Sequence, residues 1–213
     1  MSETPSVRRL DEATADRIAA GEVVTRPARV VSELLDNALD ADAATVRIEV
    51  DGDGTERIRA ADDGHGMGRE DARLAVERHA TSKLRDAADL EAATTLGFRG
   101  EALPSIADAG VLELVTSDGT EPGTRVVVED GEVAVTDAGR ARGTTVTVRN
   151  LFADRPARRE ALGSAGTEFA RISDVVARYA LTRPEVAFSL THDDRETLST
   201  PGSGAYADAV LAV

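Results

Sequence analysis

An α+β fold built on a largely antiparallel sheet is what this sequence predicts, on three observations. Helical patterns come first along the chain, then a run of close-set strand patterns, then one long helix and another strand. Alternating βαβ units would not produce that order. The strand patterns alternate and are rich in β-branched residues. Turn signals such as "DGDG" (51–54), "SDGTEPG" (117–123) and "EDGE" (129–132) join several of them over distances short enough for hairpins.

Taken in order, helical patterns occupy Asp11–Ala20 and Pro27–Leu39. Pro27 falls in the opening turn of the second, where a helix has no use for the missing N–H. Within it Val30, Val31, Leu34, Leu35, Ala38 and Leu39 gather on one side of the wheel. Strands follow at Thr45–Val50 and Arg57–Ala61, then helices at Glu70–His79 and Ala102–Ala107. Further strands are expected at Val111–Thr116, Thr124–Glu129, Glu132–Thr136 and Thr144–Val148. A helix over Thr167–Leu181 and a strand over Val186–Leu190 complete the set. The stretch "STPGSGAY" (199–206) reads as a linker, so residues 1–200 are expected to form one domain. Residues 201–213 are expected to be linker and the truncated start of a second domain.

The 213 residues are 41% hydrophobic, enough for a sizeable core and too much for a disordered chain. No apolar run approaches the roughly 20 residues a membrane helix needs, and "MSETPSVRRL" lacks the apolar core of a signal peptide. No membrane partner and a cytoplasmic location are therefore expected. Without cysteine there are no disulfides and no thiolate metal sites. Net charge is −14, and Lys83 is the only lysine among the basic residues. Such a chain repels phosphate backbones at low salt, which excludes a simple nucleic-acid-binding module. The acidity instead reads as adaptation to a concentrated-salt cytoplasm, where screening removes self-repulsion.

Several motifs carry chemistry. In "SELLDNALDADA" (32–43) Glu33, Asn37 and Asp40 fall on one helical stripe. The stripe is either the wet side of an amphipathic helix or a functional face; Asn, a mediocre helix former, argues for the second. "ADDGHGMG" (61–68) follows a strand and precedes a helix, and Gly64, Gly66 and Gly68 permit close backbone approach or positive φ. A dinucleotide fingerprint fails there because position 69 is Arg, and a P-loop fails because Lys83 follows Ser82 rather than Gly. A calcium loop from Asp51 fails at its sixth and twelfth positions, Glu56 and Asp62. "RHATSKL" (78–84) offers two hydroxyls and a cation to an anion. "LGFRGEAL" (96–103) sets Gly97 and Gly100 around Arg99 just before a helix, a place suited to phosphate. His65, His79 and His192 lack metal-ligand spacing.

Together these stretches resemble the GHKL superfamily of ATPases, and within it the MutL family of DNA mismatch-repair proteins. The resemblance runs from about Arg9 to Leu198 and is densest in "RIAAGEVVTRPARVVSELLDNALDADA", "DDGHGMG", "RHATSKL", "LGFRGEALPSIA" and "NLFADRPARR". "GFRGEAL" and "AAGEVV…RPA" single out MutL. Arg155 stands where the family usually has Thr.

The resemblance implies a Bergerat-type α/β sandwich, a mixed, mostly antiparallel sheet with helices on one face. It implies ATP and Mg²⁺ as cofactors. Glu33 then matches the general base that activates water, and Asn37 the residue whose amide oxygen binds Mg²⁺; Asp40 receives no role. Asp62 matches the acceptor of the adenine amino group, with Gly64 and Gly66 letting the base lie close. Thr145 matches the supporting threonine, with Thr144 the alternative. Thr81, Ser82 and Lys83 belong to the lid, and Arg99, Gly100, Glu101, Ala102 and Leu103 to the phosphate-binding loop and helix start. Glu33, Asp62, Asp63 and Glu101 are expected around the ligand. By the same resemblance the protein closes as a homodimer on ATP, and hydrolysis is slow. It takes its signal from a MutS-like mismatch recognition protein and passes it to a downstream nuclease or helicase. DNA is contacted by the intact protein and only weakly by this chain. Full turnover needs a lysine from the following transducer domain.

Overall fold

The computed structural model describes residues 24–77, 102–120 and 122–213. The helix predicted over Asp11–Ala20 lies outside them. Helix α1 (Pro27–Asp40) begins with Pro27 and buries Val30, Val31, Leu34, Leu35 and Ala38, the stripe its periodicity predicts. No side chain caps its start. The preceding Arg26 instead reaches Glu168, whose carboxylate is fully buried, at 2.6 Å. Glu168 also accepts from Arg171 at 3.1 Å and from the Gly163 amide at 2.8 Å. A buried carboxylate persists only when so paired, and here it ties the two long helices together at their starts.

After α1 the chain forms β1 (Thr45–Asp51) and β2 (Arg57–Asp62), antiparallel across a tight turn. The short helices α2 (Arg69–Leu74) and α3 (Ala102–Ala107) precede β3 (Val111–Ser117), β4 (Gly123–Glu129), β5 (Glu132–Ala138) and β6 (Gly143–Arg149), the first three joined as hairpins and the fourth returning beside β3 as in a Greek key. Helices α4 (Pro156–Glu160) and α5 (Ala165–Thr182) then carry the chain back to β7 (Ala187–His192), β8 (Arg195–Ser199) and α6 (Tyr206–Ala212). The eight strands form one sheet in the order β5-β4-β3-β6-β2-β1-β7-β8. Only β1 with β7 is parallel among the described pairings. A parallel neighbour requires a long crossover, which α4 and α5 supply.

The two faces of the sheet differ as alternation demands. Val46, Ile48 and Val50 of β1 and Ile58 and Ala60 of β2 are buried in one core with α1 and with Ile172, Val176 and Ala180 of α5. The opposite face carries ion pairs. Arg57 meets Glu49 at 2.9 Å and Asp51 at 2.7 Å, Arg59 meets Glu49 at 2.5 Å, and Glu113 takes Arg125 at 3.0 Å and Arg149 at 3.4 Å. Helices on one face and a half-exposed charge ladder on the other are the sandwich expected.

Predicted strands and helices recur with ends shifted by a residue or two, and three elements are additions. Helix α4 has five residues and buries none of them. Strand β8 is an edge strand with only Leu198 buried, and it turns from β7 through Asp193 and Asp194, both at positive φ. The helix expected over Glu70–His79 ends at Leu74, and residues 78 and 79 lie outside the described residues. The stretch read as a linker is held against β7: the Thr200 N–H donates to the Phe188 carbonyl at 2.8 Å, and the Thr200 hydroxyl accepts from the Phe188 N–H at 3.0 Å. Helix α6 follows, with Ala209 buried and Tyr206, Val210 and Leu211 exposed. No helix among the described residues is long and apolar enough to cross a membrane.

Candidate functional site

The β2 strand ends in Asp62, and pairing decides what surrounds it. Val46, Asp62, Thr144, Thr116 and Thr124 form one row across β1, β2, β6, β3 and β4. Period-two alternation puts this row on the helix-covered face, in line with Ile58 and Ala60, Val146 and Val148, and Leu112 and Leu114. Asp62 Oδ1 accepts from the Gly64 N–H at 2.9 Å and from the Thr144 N–H at 3.2 Å. Its other oxygen, Oδ2, takes no protein donor among the described residues. Burial pushes the Asp62 carboxyl above the usual carboxylate range, and neighbouring Asp63 adds to the rise. The two amides and the positive charge of Arg140 oppose it.

The turn after Asp62 has glycine where the protein's own backbone demands it. A Cβ on Gly66, at φ +66°, would sit 1.9 Å from the Ser117 carbonyl oxygen, and one on Gly64 would sit 2.7 Å from Ala41. Both glycines therefore first serve to seat the turn between the end of α1 and the end of β3. The His65 N–H bonds the Ala41 carbonyl at 2.9 Å, and the Met67 N–H bonds the Thr116 hydroxyl at 3.0 Å. Thr116 is fully buried and also contacts the Thr144 hydroxyl at 2.9 Å and donates to the Gly143 carbonyl at 3.2 Å. It therefore braces Thr144 and the glycine turn at once.

At two predicted positions the strands separate neighbouring residues. Thr145 lies on the opposite face of β6 from Asp62, where its hydroxyl accepts from Arg140 at 2.6 Å. Neighbours in a strand point to opposite faces, so Thr144 is the threonine beside the Asp62 carboxylate. Asp63 likewise turns away. Its Oδ1 accepts from the Ala44 and Thr45 amides, each at 2.8 Å, and fastens the α1–β1 connection. Burial pushes its carboxyl up, but these amide bonds outweigh that and hold it below the usual range.

On α1 the predicted stripe divides. Glu33 and Asn37 are half-buried and Asp40 is exposed, so the first two do not belong to a fully wet face. Glu33 pairs with Arg29 one turn earlier at 2.5 Å. The next stripe belongs to packing: Asp36 accepts from the Tyr179 hydroxyl of α5 at 2.6 Å, with Ser32 at 3.2 Å. Burial chiefly, with the Asp36 bond, pushes the Tyr179 hydroxyl up to about 12. Helix α3 starts at Ala102 as expected, and Leu103 packs against the core. Thr81, Ser82, Lys83, Arg99, Gly100 and Glu101 lie outside the described residues. Among the described residues no group of three His, Cys, Asp or Glu side chains could hold a metal ion.

Sequence reasoning missed Thr116 and Arg140. Thr116 had a legible signal, a polar residue in phase with Leu112 and Leu114 at a strand end. Arg140 had none, because its role depends on which strands pair.

The half-buried Asp62, the glycine turn after it and the helix presenting Glu33 and Asn37 all lie within residues 25–105, which match a family model of the ATPase domain shared by histidine kinases, DNA gyrase B and HSP90. The chain is 52% identical over 213 residues to the DNA mismatch repair protein MutL of Halobacterium salinarum, covering 99% of this chain and 32% of that protein. It is 53% identical over 209 residues to the MutL of Symbiobacterium thermophilum, covering 97% of this chain and 33% of that protein. The solved Aquifex aeolicus MutL ATPase domain complexed with ADP superposes with a TM-score of 0.71 at 32% identity, over 88% of this chain and 68% of that one. The chain belongs to the MutL family of DNA mismatch-repair proteins and carries its GHKL ATPase domain. It spans about a third of the length of the curated relatives it matches.

Proposed function

We propose that this domain binds Mg²⁺–ATP and hydrolyses it slowly, as a switch that drives homodimer closure and couples mismatch recognition to strand incision. One observation carries the nucleotide assignment. Asp62 commits one carboxylate oxygen to the backbone and keeps the other for an incoming donor, with Thr144 beside it. The adenine amino group is such a donor, and the Aquifex aeolicus neighbour was solved with ADP. Asn37, half-buried one turn beyond Glu33, fits the habit of Mg²⁺ of taking one or two protein oxygens and completing its shell with phosphate and water. The ion would neutralise phosphate charge; Glu33 orients and deprotonates the attacking water. Phosphoryl transfer to water asks little covalent help, so positioning by Asn37 and by the loop of Arg99 and Gly100 matters as much as the base. In the intact protein a MutS-like partner, DNA and a downstream nuclease or helicase complete the cycle. Residues 1–200 serve as the ATPase unit and 201–213 as the lead into the next domain. Phosphate release measured on this chain and on a longer one tests the reading: the chain alone binds nucleotide with weak turnover, and the longer chain hydrolyses it. Absence of ATP binding by both sinks it.

The two threonines provide a finer test. Thr144→Val is expected to weaken ATP binding by about tenfold, the loss of one half-buried hydrogen-bonding group. Thr116 keeps its Met67 and Gly143 bonds, so the strand survives. Thr145→Val is expected to act less. Titration with a fluorescent ATP analogue ranks the two, and the reverse order would return the role to Thr145.

Salt joins composition to mechanism. At net charge −14 self-repulsion destabilises the folded domain in dilute buffer. Raising ionic strength from about 0.1 M to 1 M shortens the screening length from roughly 10 Å to 3 Å. The melting temperature is expected to climb steadily with KCl, and ATP affinity to rise or stay level. Stabilisation by a non-hydrolysable ATP analogue is expected to vanish with a metal chelator. A melting temperature that falls with KCl refutes salt adaptation, and chelator-resistant stabilisation counts against Asn37 as a metal ligand.

A further inference from the structure

The loop between β5 and β6 places Arg140 on the open, charge-laddered face of the sheet, directly behind the Asp62 site. Its guanidinium reaches three acceptors on two strands: Nη2 donates to the Asp62 carbonyl at 2.9 Å, Nε to the Gly143 carbonyl at 3.0 Å and Nη1 to the Thr145 hydroxyl at 2.6 Å. The contact falls at the end of a ladder. Asp62 with Thr144 is the last pair between β2 and β6, beyond which the strands part. Strand ends open with least free energy, yet the carboxylate that awaits a ligand and the amide that aims it both sit on this last rung. Gly143 makes room for the arrangement. At φ +119° it lies where a Cβ would meet the Asp62 carbonyl at 2.3 Å and the Arg140 guanidinium at 3.2 Å.

We propose that Arg140 is a positioning residue for nucleotide recognition, a three-pronged clamp that holds Asp62 and Thr144 in register from the face opposite the site. This rests on Asp62 being the adenine acceptor. Through its bond to the Asp62 carbonyl the clamp fixes the backbone on which the carboxylate is built. Through Gly143 and Thr145 it fixes the strand that supplies the Thr144 amide. A planar fork meets three acceptors in fixed directions, which a lysine's single ammonium does not. Its charge also bears on Asp62: Arg140 favours the ionised carboxylate, against burial and Asp63. Arg59, on the same open face, is a second cation near the clamp.

The test compares ATP with inosine triphosphate, whose base carries an oxygen where adenine carries the amino group. A carboxylate acceptor at Asp62 makes the wild-type chain prefer ATP. Arg140→Ala and Arg140→Gln are expected to shrink the ratio of the two affinities by about tenfold, the coupling expected of groups in contact. They act mainly by weakening ATP. The ratio is taken on one sample, so partial unfolding, which lowers both affinities alike, does not imitate it. The loss of ATP affinity in the Arg140 variants is also expected to begin at a higher pH than in wild type. Variants that keep the wild-type ratio overturn the clamp while leaving the adenine reading intact. A wild-type chain with no preference for ATP overturns both.

Discussion

Asp62→Asn is expected to abolish ATP binding while the domain stays folded. The substitution is nearly isosteric, and the amide oxygen accepts from the Gly64 and Thr144 N–H groups as Oδ1 does. The amide nitrogen then stands where the carboxylate kept an acceptor, and its hydrogens face those of the adenine amino group. A lost charge-assisted bond and a desolvated, unmatched donor together amount to about 10²-fold or more in affinity. Stability is expected to move the other way. The Asp62 pKa is raised in the folded domain, so the stability that protonation lends is full below the unfolded value and lost as pH rises through the folded one. Asn does not titrate and escapes that loss. The variant should therefore melt at or above the wild-type temperature at neutral pH in the absence of nucleotide. Nucleotide titration and melting curves on the same preparation check both halves. Wild-type affinity in the variant would remove Asp62 from the adenine site.

Glu33→Ala is expected to separate binding from turnover. With Glu33 proposed as the base that orients and deprotonates water, its removal is expected to lower hydrolysis by about 10²-fold or more, with little loss of affinity. The ion pair it loses with Arg29, which is substantially exposed, contributes about 0–1 kcal/mol. The measurement needs a chain long enough to show wild-type turnover. Normal hydrolysis there would return Glu33 to a merely half-buried helix face.

Local pattern was enough for much of this molecule. The helix from Pro27, its buried stripe and the β1 to β4 patterns follow from periodicities that one segment expresses by itself. So does the glycine turn after Asp62, although the need for glycine there proved to be the approach of Ala41 and Ser117 as well as any ligand. Strand β8 and helix α4 bury almost nothing, so they wrote little pattern into the sequence.

By itself the sequence determined the fold class and the family, because these live in spacing along one chain. Tertiary structure decided which neighbour faces which. Thr144 rather than Thr145 stands with Asp62, since the register of β2 against β6 sets the phase of the alternation. Asp63 turns to the Ala44 and Thr45 amides because consecutive strand-end residues diverge, so two neighbouring carboxylates of one type face different surroundings. Arg140 comes under Asp62 from 78 residues away because β6 returns past β3 to pair with β2 of the β1–β2 hairpin. A hydrogen-bonded ladder joins residues remote in sequence within about 5 Å, and no local pattern encodes which ones they will be.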